Sequence, residues 1–241
     1  LVIVDEASLA GTASLDRISV LAEEAGAKVL LVGDYSQLQA VDAAGAFAML
    51  VHDRDDAPEL TDIHRFTHAW EKATSLDLRH GRATAIDILA QHGRIQGGAA
   101  DAMVDAAYAS WRTDTERGRA SILVAETIEI VTQLNQRARA DLILDGTLLP
   151  GREAILHDGS SISTGDRIIT RRNERRLRSK SGNAWVRNGD RWKVTRVGED
   201  GSITIRPEHR RFGGSMVLHA AYVAEDVDLG YAITALRAQG V

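Results

Sequence analysis

An apolar run, Leu1-Val2-Ile3-Val4, ends in two adjacent carboxylates, Asp5 and Glu6. Such a run followed by acids reads as a strand whose C-terminal end carries charge, the end of a parallel sheet where α/β proteins bind ligands. Side by side, the two acids could divide the work of phosphoanhydride cleavage. The aspartate would orient Mg2+, usually through water, and the glutamate would polarise the attacking water. The dipeptide alone is equally a strand end whose acids face solvent.

Twenty-three residues after Asp5 begins Lys28-Val-Leu-Leu-Val-Gly-Asp-Tyr-Ser-Gln-Leu-Gln-Ala-Val41, a second apolar run closed by Gly33-Asp34 and followed by Gln37. A neutral amide both donates and accepts, so Gln37 could position a water or a phosphate oxygen. The segment Glu59-Leu-Thr-Asp-Ile-His-Arg-Phe66 adds Arg65, whose planar donors match phosphate oxygens and stay charged. Taken singly, Gln37 reads as a turn glutamine and Arg65 as half of a surface ion pair.

Net charge is −5, but its distribution is uneven. Asp166 to Arg196 holds eleven Arg or Lys against three acids, a local excess of about eight positive charges on a body of about −13. A basic stripe on an acidic body suits nucleic acid, and Arg171, Arg172, Arg175 and Arg176 are the candidate DNA contacts. Trp185 and Trp192 could stack on bases, although core packing is the expectation for both. Lys193 and Arg196 could face DNA or equally lie on the exterior of a β-barrel. There are no cysteines, which excludes disulfides and thiolate metal sites and fits a reducing cytoplasm, the expected location. No apolar run approaches the roughly 20 residues of a membrane span. The one His-x3-His pair, His64 and His68, straddles the start of the helical run and has no neighbouring Cys, and Ser8 and Ser36 lack nucleophile-elbow glycines, so neither a zinc site nor a hydrolase triad is supported.

The elements that must position these residues follow from periodicity. Residues 1–4 read as a strand; Leu15, Ile18, Leu21, Ala22 and Ala25 lie at helical spacing with Gly26 as stop; Lys28–Val32 reads as a second strand. Thr67–Thr113 reads as helical, broken at Gly81 and at Gly93–Gly98. Ser121–Ala125 then reads as a strand, followed by a helix with Ile128, Val131, Leu134, Ala138 and Leu142 on one face. From about Gly151 short β-like runs take over: Ala154–Leu156, Arg167–Thr170, Trp192–Val197, Ser202–Ile205 and Met216–Val223, with Asn188-Gly189 and Asp200-Gly201 as hairpin turns.

In register, Asp5-Glu6-Ala-Ser8 and Lys28–Val41 resemble the Walker B motif and motif III of superfamily 1 helicases, and Glu59–Phe66 resembles the segment whose arginine reaches the γ-phosphate. The family glutamine after that arginine is Phe66 here. Gly230-Tyr-Ala-Ile-Thr-Ala-Leu-Arg-Ala-Gln-Gly-Val241 is similar to motif V of RecD-like helicases, with Leu236 where the family commonly has histidine. Gly165–Asn173 and Trp185–Trp192 resemble the SH3-like barrel inserted in the second motor domain, more specifically that of MobF-type conjugative relaxases, the TraA and TrwC kind. Trp70–Arg79 and His92–Ile95 strengthen that likeness.

The resemblance implies an α/β fold of P-loop NTPase (RecA-like) type: partial tandem motor domains with a small SH3-like all-β insertion. It implies the first motor domain over 1–66, the second beginning over 67–151, the insertion over 152–224 and the return over 225–241. It assigns Asp5 to the metal, Glu6 to catalysis, Gln37 and Arg65 to the γ-phosphate, Gly240 to the nucleotide, and Thr234 and Gln239 to DNA. ATP and Mg2+ would be the cofactors of an intact enzyme that unwinds DNA, with single-stranded DNA and conjugation machinery as partners. The 241 residues contain no Gly-x-x-x-x-Gly-Lys-[Ser/Thr], the loop on which phosphate binding mainly rests. That loop would precede Leu1 and the final arginine motif would follow Val241, so the chain alone is expected to bind ATP weakly or not at all and not to hydrolyse it. An exposed sheet edge invites pairing with another copy. A non-hydrolysing DNA-binding or docking module, and a RecD-type repair helicase, are the alternatives.

Overall fold

The computed structural model describes residues 1–38, 45–54, 56–60, 63–149, 151–179, 184–208 and 214–238. It divides into two compact units, Leu1–Ala99 and Ala100–Val241.

In the first unit, strands β1 (Val2–Val4) and β2 (Val29–Leu31) are parallel, with Val2 opposite Val29 and Val4 opposite Leu31. Parallel neighbours need a crossover, here helix α1 (Thr12–Glu24), which buries Leu15 and Ala22. The helix stops where expected: Gly26 has φ +60°, its N–H bonds Glu23 O, and Ala27 N–H bonds Ala22 O. That left-handed C-terminal motif favours glycine because a side chain there is strained. Helix α2 (Ala46–His52), short and without a sequence signal strong enough to be expected, buries Phe47. Helices α3 (Ala69–Arg79) and α4 (Thr84–Gln91) follow, separated around Gly81. The Trp70 ring stacks on that of His92 at 3.7 Å, and Arg94 pairs with Glu71, which ties the two helices together. Residues 67–99, expected in the second motor domain, thus pack within the first unit.

The second unit opens with helix α5 (Ala100–Glu116), which buries Tyr108 and Trp111. Strand β3 (Leu123–Ala125) leads into helix α6 (Ile128–Leu144). The Thr127 hydroxyl caps α6 by accepting the Ile130 N–H at 3.3 Å. Leu134, Ala138 and Leu142, four residues apart, form its buried stripe, as the periodicity predicts. Ile128, expected on the same face, is 71% exposed because it belongs to the first turn, beyond the edge of the core.

Next comes a β-rich stretch of short antiparallel strands. Two hairpins are β4 (Ala154–Ile155) with β5 (Ser161–Ile162), and β7 (Glu174–Arg178) with β8 (Trp185–Val186). A five-stranded sheet is built from β6 (Arg167–Thr170), β9 (Arg191–Val197), β10 (Ile203–Pro207), β11 (Met216–Leu218) and β12 (Val227–Leu229), in the order β11-β10-β9-β6-β12. Alternating residues such as Ile168, Trp192, Val194, Ile203 and Ile205 fill its core. The run Met216–Val223, expected as β throughout, is strand only to Leu218. Ala220–Asp226 forms helix α7, led by two alanines and burying Tyr222 and Val223 on one face. The antiparallel sheet also extends to Leu229, five residues past the expected end of the insertion.

Strand β13 (Ala232–Thr234) then pairs parallel with β3, Thr234 opposite Ala125, and short helix α8 (Ala235–Ala238) follows. The whole β-rich stretch therefore lies between α6 and the second strand of a parallel pair, which makes it an insertion in an α/β unit. Two buried polar clusters join insertion and parent. Asn135 of α6 accepts the N–H groups of Tyr231 and Ala232, both at 2.9 Å, and donates to Ala232 O at 3.0 Å. Asp166, fully buried, accepts from Tyr231 Oη (2.6 Å), Ser163 N (2.7 Å) and Arg139 Nε (3.0 Å). A buried carboxylate persists only when so satisfied. Among the described residues no helix is long and apolar enough to cross a membrane.

Candidate functional site

In the first unit, two expected segments meet at one edge. Asp5 and Glu6 follow the C-terminal end of β1, and Gly33, Asp34 and Gln37 follow that of β2. Adjacent strands lie about 4.8 Å apart, so both loops project from the same side of the sheet. Val32 N–H bonds Val4 O and Ala7 N–H bonds Val32 O, both at 2.8 Å, which carries the pairing past the strand ends. Glu6 is left-handed at φ 52°, ψ 44°, the only non-glycine with positive φ among the described residues. Non-glycine residues held there cost about 1–3 kcal/mol and concentrate at functional sites. Its N–H bonds Asp5 Oδ1 at 3.0 Å, and both carboxylates are solvent-accessible.

Gly33 makes this turn possible. A Cβ there would stand 3.0 Å from Ala7 N, 3.2 Å from Ser8 N and 3.3 Å from the Phe47 ring. The chain leaving Glu6 passes directly over a residue without a side chain. Among the described residues no three His, Cys, Asp or Glu converge as a metal cage. Asp5, just past the end of β1, could supply one carboxylate to a cation such as Mg2+ whose other positions are filled largely by phosphate and water.

Asp34 organises the second loop. Its carboxylate accepts Ser36 N–H and the Gln37 side-chain amide, both at 3.0 Å, and is paired with Arg79 of α3. Arg79 also bonds Glu59 Oε1 at 3.0 Å and lies 5.0 Å from the Tyr35 ring centroid. Burial pushes the Asp34 carboxyl up, but the Ser36 N–H, the Gln37 amide and the Arg79 guanidinium outweigh it, and its pKa lies below the usual carboxylate value. In the sequence Asp34 and Arg79 belong to separate motifs, forty-five residues apart, and nothing local joins them. Arg65 is exposed and forms no ion pair with another described residue.

In the second unit, Thr234 at the C-terminal end of β13 and Arg171 after β6 line one cavity of about 400 Å³, with Asn135, Asp228, Leu236 and Arg237 also on its wall. Asp228 gathers three basic groups: Arg237 Nη1 lies 2.7 Å away, His157 Nε2 2.7 Å and Arg171 Nη1 3.6 Å. Two expected DNA contacts from the insertion and the parallel sheet are thus brought together. Gln239 and Gly240 lie outside the described residues.

The four candidate arginines divide into two pairs. Arg171 faces Asp228, and Arg172 pairs with Asp226 at 3.0 Å beside Glu225. Helix α7 and β12 bring these acids, more than fifty residues downstream, against the basic run. Arg175 and Arg176, on β7, form no ion pair with a described acid; Arg178 and Arg187, which the sequence did not single out, are likewise unpaired among the described residues. Trp192 is 4% exposed with Nε1 3.3 Å from Thr170 Oγ1, a core residue as expected. Trp185, expected in the core as well, is part-exposed on the β7–β8 hairpin, because Val186 takes the inward position of that strand. Lys193 and Arg196 are exposed on β9.

Comparisons with known proteins agree with this architecture. A family model described as an AAA domain matches residues 1–100. Similar curated proteins include a probable conjugal transfer protein TraA of Sinorhizobium fredii, 31% identical over 243 residues, and a conjugal transfer protein TraA of Agrobacterium fabrum, 30% identical over 243. A third, from Rhizobium radiobacter and also a conjugal transfer protein TraA, is 31% identical over 244. Each match takes in 99% of this chain and 21% of the relative, so the chain spans about a fifth of the length of these proteins. With Walker B-like and motif III-like segments on one edge of a parallel sheet, the chain is similar to TraA conjugal transfer proteins along almost its whole length, and its first 100 residues match the AAA domain, an α/β fold of P-loop NTPase class.

Proposed function

We propose that this segment works within an ATP-driven DNA translocase that unwinds DNA during conjugal transfer. The observation that carries the reading is the meeting of Asp5-Glu6 with Asp34 and Gln37 at the C-terminal edge of β1 and β2. ATP and Mg2+, when bound, supply the phosphoanhydride and the cation that neutralises its charge. Asp5 would hold the metal, Glu6 would hold the attacking water, and Gln37, fixed by Asp34, would with Arg65 bind the γ-phosphate. The second unit contributes the DNA side: Thr234 and Arg171 at the cavity, with the motif V segment continuing to Gln239 and Gly240, and the unpaired arginines of the β7–β8 hairpin. The inserted sheet and hairpins are an SH3-like barrel in this reading, and the cytoplasm is the compartment in which the motor meets DNA.

Without a Gly-x-x-x-x-Gly-Lys-[Ser/Thr] sequence, the 241-residue chain by itself does not hydrolyse ATP. It does bind single-stranded DNA, with affinity falling steeply as salt rises. Anisotropy of a labelled oligonucleotide across a salt series, alongside an ATPase assay, tests both statements. Salt-independent or absent DNA binding, or DNA-stimulated hydrolysis by the chain alone, contradicts them.

A further inference from the structure

We infer that the β7–β8 hairpin selects unpaired DNA by stacking a base on Trp185. The inference rests on the proposed DNA role of the hairpin arginines and adds the contact that distinguishes single strand from duplex.

Trp185 is the cross-strand partner of Arg178, and such partners share a face. The neighbouring Val186 is fully buried, so that shared face is the outer one. The core does not require an indole there: Leu177 and Val186 already cover the inner side of the hairpin. Trp111 and Trp192 are buried and Trp70 is stacked on His92, so Trp185 stands apart from the other three indoles.

Its surroundings are cationic. The guanidinium carbons of Arg175 and Arg187 lie 5.4 and 5.2 Å from the Trp185 ring centroid. Neither forms an ion pair with a described acid, nor do Arg176 and Arg178. A part-exposed indole flanked by two guanidiniums that pair with no described acid is the combination that suits single-stranded nucleic acid: ring for base, cations for flanking phosphates. Both flanking arginines are solvent-exposed, so a guanidinium displaced by an arriving base can move onto a phosphate. Duplex DNA keeps its bases stacked on one another, and the hairpin can hold it by charge alone.

The test uses the full 241-residue chain, an oligo(dT) strand, and a strand of equal length and charge with abasic sites. Wild type is expected to bind oligo(dT) about tenfold more tightly than the abasic strand, with quenching of indole fluorescence. Trp185→Ala should bind both strands as wild type binds the abasic one. Trp185→Phe, which keeps an aromatic face, should retain most of the preference. All three should show the same salt dependence and the same circular dichroism. Equal affinity of wild type for the two strands, or an unchanged preference in Trp185→Ala, overturns the stacking contact while a persisting salt dependence leaves the arginine reading intact. Absence of any salt-dependent binding overturns both.

Discussion

Arg79 of α3 grips the same Asp34 carboxylate that holds the Gln37 amide. One side chain thereby connects the loop after β2 to the helical pair that follows, and a further bond, to Glu59, fixes the guanidinium's plane. The bidentate use of a planar fork is not available to lysine. Arg79→Lys is expected to loosen the loop nearly as much as Arg79→Ala, at about 1 kcal/mol of stability for this partly exposed pair. Amide exchange at Ser36 and Gln37 should accelerate in both variants; unchanged exchange would show that the pair does not hold the loop.

The insertion should depend on its two buried polar clusters. Asn135→Ala strands the N–H groups of Tyr231 and Ala232 and the Ala232 carbonyl at the start of β13, at about 1–3 kcal/mol for the buried groups. Asp166→Ala leaves Arg139 without its buried partner and costs about 3–5 kcal/mol. Urea titrations should show both losses, with Asp166→Ala the larger. A midpoint within error of wild type for either would mean that its cluster does not hold the insertion.

Much of this architecture is legible in sequence because it is local. Apolar periodicity locates β1, α1, β2, helices α3 to α5 and the buried stripe of α6. Strand β7 escapes because Glu174-Arg-Arg-Leu-Arg178 has no alternation to read, and α7 escapes because Tyr222 and Val223 suit a strand as well as a helix face. The site is legible as motifs but not as pairings. Nothing local to Arg171 and Arg172 announces that Asp226 and Asp228 will neutralise them, and nothing near Asp34 announces Arg79. Charge runs report composition, while pairing is decided by topology.

That division of the arginines has a measurable consequence. Arg175→Ala with Arg176→Ala should flatten the log–log salt slope of single-strand binding by about 0.7 for each phosphate no longer neutralised. Arg171→Ala with Arg172→Ala removes charges already offset by Asp228 and Asp226 and should change the slope less. Equal effects from both pairs would refute the division.

Alkaline pH should weaken the second unit. Burial pushes the Tyr222 phenol up to about 12, and burial together with Asp141 or Asp166 raises Tyr108 and Tyr231 further. An unfolded tyrosine ionises near 10. Raised folded values stabilise fully below about pH 10, and that contribution is lost as pH rises through 12 and beyond. Phenolate absorbance between pH 10 and 12 should be lower in folded than in urea-unfolded protein, with the urea midpoint falling over the same window. Matching titration curves would contradict the buried hydrogen-bonded phenols.

In the proposed reading, the edge holding Asp5-Glu6 and Gln37 is the hydrolytic half of a DNA-driven nucleotide site. Its most direct measurement is ATP turnover by this chain joined to a segment that supplies Gly-x-x-x-x-Gly-Lys-[Ser/Thr], with and without single-stranded DNA. Turnover stimulated by DNA and reduced at least about 100-fold by Glu6→Gln, with nucleotide binding retained, is the predicted result. Turnover that Glu6→Gln leaves unchanged would contradict it.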